Sequence, residues 1–110
     1  MTLNEALNKG RKDRVVILHN NVRTFKRNPV ITCTDGYSIS IQCGVNMYCN
    51  PREDILDVEG YTEFELGFPN QLDSLLNDYA EECDTTQTIF TYVPRQVVKD
   101  LIAKHGGIEE

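Results

Sequence analysis

Apolar positions along the 110-residue chain change period several times, and each change predicts a different element. At the start, Thr2-Leu3-Asn4-Glu5 has the form of a capping box, in which the Thr2 hydroxyl accepts from the Glu5 amide and Glu5 reaches back. A short helix over about 3–9 follows, with Gly10 as its stop. The β-branched and aliphatic run at 14–20 suits a buried strand. Residues 22–27 alternate Val22, Thr24 and Lys26 with Arg23, Phe25 and Arg27, which fits a second strand or a basic connection.

Asp35-Gly36, set between two β-type runs, predicts a hairpin with a type I′ turn. A two-residue loop puts Val30, Thr32, Thr34, Tyr37, Ile39 and Ile41 on one face, the expected core side. Ile31, Cys33, Ser38, Ser40 and Gln42 then share the other face. After a loop at 44–56 the alternation resumes, with Thr62, Phe64 and Leu66 opposing Tyr61, Glu63 and Glu65. Glu63 and Glu65 would stand on one exposed side, roughly 7 Å apart. Asn70 is the expected cap of a helix over about 71–82, whose apolar stripe is Leu72, Leu75, Leu76, Tyr79 and Ala80. Residues 86–93 read as a further strand. Pro94 opens a helix to about Lys104 with a core face of Val97, Val98, Leu101 and Ile102, closed by Gly106 and Gly107, with Ile108 folding back. The expected class is α+β in one domain over residues 1–110: a largely antiparallel sheet of about four to five strands, with two or three helices packed on one face.

Composition adds little to this, but charge adds a good deal. The hydrophobic fraction of 40% and charged fraction of 25% are those of an ordinary globular domain. No apolar run reaches the roughly 20 residues that cross a bilayer, and the first residues lack a signal-peptide core. The host-cell cytoplasm is therefore the expected setting, with Cys33, Cys43, Cys49 and Cys83 reduced. Net charge is −6, yet residues 1–30 hold seven basic against two acidic side chains, while residues 52–84 hold eleven carboxylates against Arg52 alone. At that density the carboxylates must spread over an exposed face or meet a cationic partner.

Candidate chemistry is sparse. Cys43 and Cys49 have five residues between them, wider than the two-to-four spacing of zinc knuckles, so neither a metal nor another cofactor is expected and packing is the favoured role. His105, at a helix end, reads as a cap rather than a catalytic group. There is no nucleophile elbow, no P-loop and no dinucleotide fingerprint, so no catalytic residue is assigned and the chain reads as a non-enzyme. The acidic centre also argues against direct nucleic-acid binding. A ladder of carboxylates can instead imitate spaced phosphates and occupy a cationic channel in another protein.

The stretches "DGYSISIQC", "YCNPRED", "GYTEFELGFPN", "LLNDYAE" and "YVPRQVVKDLIAKHGGI" resemble a group of small bacteriophage-encoded accessory proteins. The resemblance covers about two thirds of the chain, and residues 1–29 carry none of it. It implies a host-directed accessory role, such as anti-defence, anti-CRISPR-like inhibition by protein contact, and transfers no functional residue. The expected partner is thus a host protein with a basic surface, with no direct nucleic acid and no membrane. The contact residues expected are Glu53, Asp54, Asp57, Glu59, Tyr61, Glu63, Glu65, Asp78, Glu81 and Glu82, with Tyr79 a weaker aromatic candidate because it lies on the apolar stripe. Two alternatives stay open: an anionic-nucleotide site built from Tyr48, Asn50 and Arg52, and a structural or regulatory homodimer.

Overall fold

A computed structural model describes residues 1–9, 11, 15–17, 23–25, 27–82 and 85–110. The expected helix stop at Gly10, the flanks of the N-terminal strands with Lys12, Arg14, His19 and Lys26, and the pair Cys83 and Asp84 lie outside the described residues. Helix α1 (Leu3–Asn8) begins with both bonds of the capping box, from the Glu5 amide to Thr2 and from the Thr2 amide to Glu5. Strands β1 (Val15–Ile17) and β2 (Arg23–Phe25) pair antiparallel as a separate ribbon.

The main sheet is an antiparallel meander of β3 (Ile31–Thr32), β4 (Ser38–Gln42), β5 (Glu63–Gly67) and β6 (Ile89–Pro94), in that spatial order. Helix α2 (Arg95–Lys104) packs against β5, β6 and a 3-10 helix at Ser74–Tyr79. The class is α+β. Segments outside the strands extend both edges of the sheet. Beyond β3, the Thr34 amide donates to the Gly107 carbonyl at 2.9 Å and the Glu109 amide to the Thr32 carbonyl at 2.8 Å. Beyond β6, Ala80 bridges Phe90 and the Glu81 amide donates to Ile89. Among the described residues no helix is long and apolar enough to cross a membrane.

Two expectations about local structure are corrected. The hairpin turn is not type I′, because only Gly36 has positive φ, at +94°. Its amide donates to Cys33, and the Cys33 amide donates onward to Tyr37 at 2.7 Å. This longer turn adds one residue to the loop and inverts the first strand's faces. Ile31 pairs with Ile39, and Ile31 and Cys33 join Tyr37, Ile39 and Ile41 in the core, while Val30 is 61% exposed.

The expected α-helix over 71–82 is instead the 3-10 helix at 74–79, capped by Asp73 rather than Asn70. Burying Leu72 and Leu75 would each bring about 1.5–3 kcal/mol. Against that, the Asp73 carboxylate receives the Leu75 amide at 2.9 Å, Lys104 at 3.0 Å and His105 at 2.8 Å. The cap bond and the His105 contact carry most of this, since the half-exposed Lys104 ammonium is screened by solvent. Leu72 and Leu75 stay exposed, Leu76 is fully buried, and Asn70 serves the hairpin by accepting from Ser38 and donating to Gly36.

Candidate functional site

The long connection between β4 and β5 is pinned from beneath by three polar side chains, of which Arg11 and Tyr61 are buried and Arg95 is half-buried. Arg11 is buried and donates to the carbonyls of Ile55 and Cys43, to Asn28 and to the Tyr61 hydroxyl. The Tyr61 hydroxyl also accepts from the Ile55 amide and donates to the Glu53 carbonyl. Arg95 holds the carbonyls of Val58 and Tyr61 and the side chain of Asn4. The connection therefore has a set shape, although it contains little regular structure.

On its outer side lies an aromatic corner. The Tyr48 carbonyl accepts the Tyr92 amide at 3.1 Å, and the two rings meet edge to face, 6.1 Å apart at 65°. Tyr92 reaches this position because the β5–β6 ladder bulges between Phe64 and Leu66, and its φ is +51°. Bulky residues seldom adopt that conformation, which costs on the order of 1 kcal/mol or more. Tyr48 and Tyr92 are 39% and 43% exposed, and the Arg52 guanidinium lies over the Tyr48 ring at 5.1 Å. Of the three residues of the nucleotide alternative, Tyr48 and Arg52 thus touch. Asn50 turns its backbone to Glu63 and Thr62 instead and precedes a cis Pro51.

The carboxylates divide into three groups. Glu53, Asp57, Glu59, Asp78, Glu81 and Glu82 are exposed, with Asp57 also accepting from Glu59 and Asn8. Asp54 and Glu63 are half-buried, and Asp54 accepts from the Val45 amide at 3.0 Å. Tyr61 and Glu65 leave the expected contact face altogether. Tyr61 is fully enclosed in the core and Glu65 is buried, because the ring of Tyr61 fills the space beside Phe64 and its hydroxyl is needed inside. Burial raises the pKa of Glu65, partly offset by Arg27, by the Tyr48 amide and by Arg52, while Glu81 pushes it further up. Tyr79 is half-buried against the core. Beside the acidic 81–82 pair lies a shallow groove of about 330 Å³ lined by Phe68, Glu81, Glu82, Gln87, Thr88 and Ile89. Phe68 is 51% exposed and, like Tyr92, holds φ at +51°.

Sequence reasoning missed a clasp around His105. Its ring stacks on Tyr37 at 3.9 Å, Nδ1 meets Asp35 at 2.7 Å, and Nε2 meets Asp73 at 2.8 Å. With a carboxylate at each nitrogen, the doubly protonated imidazolium is the form that both aspartates favour. Burial opposes that charge, but the two aspartates prevail and raise the His105 pKa. The Tyr37 hydroxyl is buried with no hydrogen-bond partner among the described residues, and burial pushes its pKa up. Asp35 and Asp73 are separated from His105 by 70 and 32 positions, so no local pattern could have joined them.

Cys33, Cys43 and Cys49 are free thiols inside the core. Burial pushes Cys43 up to about 11 and raises Cys33 and Cys49, which keeps all three protonated. No group of three metal-ligating side chains gathers among the described residues. Comparison with protein-family models, with curated proteins and with solved structures finds no match to this chain.

Proposed function

We propose that the protein is a non-enzymatic inhibitor that binds a basic surface of a host protein, in a nucleic-acid-handling defence complex of the host cytoplasm. The observation that carries this reading is the set of six exposed carboxylates, Glu53, Asp57, Glu59, Asp78, Glu81 and Glu82. Such a set matches a cationic channel by charge and competes with the phosphates that the channel normally holds. Exposed aromatic side chains, Phe68 in the groove with Glu81 and Glu82 and the pair Tyr48 and Tyr92, supply the apolar contact that charge alone lacks. The resemblance to phage accessory proteins supports the host-directed setting.

The test is capture from a bacterial host lysate at low and high salt, comparing the wild-type chain with a Glu53→Lys, Glu59→Lys, Glu81→Lys, Glu82→Lys variant. The reading expects a nucleic-acid-binding protein that is retained at low salt, released at high salt and not captured by the variant. Equal capture by both chains at every salt concentration would overturn it.

A further inference from the structure

We propose that the corner formed by Tyr48 and Tyr92 is a receptor for one arginine side chain of the partner. This rests on the acidic-surface reading and deepens it by naming the group recognised. Three independent observations converge on the corner.

The first is its presentation. Tyr37 and Tyr61 are enclosed in the core, whereas Tyr48 and Tyr92 stand 39% and 43% exposed, with their rings at 65° to each other. Their backbones are joined by the Tyr92 amide and the Tyr48 carbonyl, and Tyr92 holds a left-handed φ of +51° to make that bond. The two rings are thus displayed as one unit, at a backbone cost that burial of the ring does not offset.

The second observation is an internal stand-in. Arg52 already lies over the Tyr48 face, 5.1 Å from its centroid. A ring surface that accepts one guanidinium has the shape and the electrostatic character for another. Arg52 is also exposed, so an incoming side chain can displace it.

The third is the sign of the surroundings. Glu65 is buried and accepts the Tyr48 amide, and its carboxyl feels Arg27 and Arg52 as well as Glu81. Glu63 pairs with Asn50, two residues along the chain from Tyr48. Arg52 is the one cation within residues 52–84. A cation that displaces Arg52 takes over its place beside Glu65 and Tyr48. Arginine suits the site better than lysine, because its planar, weakly hydrated head stacks on an aromatic face.

The corner can be tested without the partner, by following tyrosine ring resonances while N-acetyl-arginine methylamide is added. The expected result is a saturable shift at Tyr48 and Tyr92 with none at enclosed Tyr61, and a weaker response to the lysine analogue. Tyr92→Gly removes the ring yet suits φ of +51°, so the protein stays folded while the Tyr48 shift falls several-fold. Arg52→Ala removes the internal competitor and tightens arginine binding about two- to five-fold. Adenosine monophosphate supplies the opposing arm. If it shifts the rings and Arg52→Ala abolishes that shift, the corner is an anion site and the proposal fails. It fails equally if the arginine analogue moves neither ring. Neither result depends on host capture, so this inference and the acidic-surface reading can fall separately.

Discussion

Tyr61, just ahead of β5, and Glu65, within it, both lie inside the protein. Alternation placed both on an exposed face, but the Tyr61 hydroxyl joins Arg11, Ile55 and Glu53, and Glu65 accepts the Tyr48 amide. Residue type alone does not reveal such bonds, since Tyr and Glu are as well suited to a wet face as to a satisfied interior. Replacing Tyr61 with Phe keeps the ring and leaves the Ile55 amide without its acceptor. The expected loss is about 1–3 kcal/mol, read from urea unfolding. At Glu65 two substitutions should diverge. Glu65→Gln keeps an acceptor for the Tyr48 amide and removes a charge that burial disfavours, so the melting temperature at neutral pH should hold or rise. Glu65→Ala strands that amide and should lower stability by about 1–3 kcal/mol.

Elements were legible in the chain wherever a cap or a long period declared them, as at Thr2-Glu5, the β5 alternation and the face of α2. They were illegible where a distant charge decided the outcome. The segment at 74–79 has leucines at helical spacing, yet Asp73 answers to Lys104 and His105 at the far end of the chain. The clasp makes stability depend on pH in a definite direction. The His105 pKa lies above its usual 6.5, so its contribution is complete below that value and is lost as pH rises through the elevated one. Asp35 and Asp73 lie below their usual 3.8, so their contribution is complete above it and is lost as pH falls through the lowered values. Stability from the clasp should therefore be greatest between about 4 and 6.5, and His105→Gln should flatten the alkaline decline in a series of urea midpoints. The end of α2 offers a steric counterpart. Gly106 has φ of +88°, and a Cβ there would lie 2.2 Å from the Thr34 hydroxyl oxygen. Gly106→Ala should cost about 1–3 kcal/mol, measurable by thermal unfolding.

For the whole molecule, the α+β class and the charge division could be read directly, because both are sums over many residues and tolerate local errors. The aromatic corner could not, since it requires a bulge in β6 to bring Tyr92 to Tyr48 across 44 positions of chain. The sheet's overall design also carries a consequence for solution behaviour. Residues 107–109 occupy the backbone groups along the outer side of β3 through bonds at Thr32 and Thr34. Deleting residues 106–110 would leave the Thr34 amide and the Thr32 carbonyl unmet at the sheet edge, beside exposed Val30. Such an edge recruits a strand from another copy of the chain. The shortened protein should self-associate as its concentration rises, visible by light scattering, while the full chain at the same concentration should not. The last five residues would then act as a guard against templated aggregation.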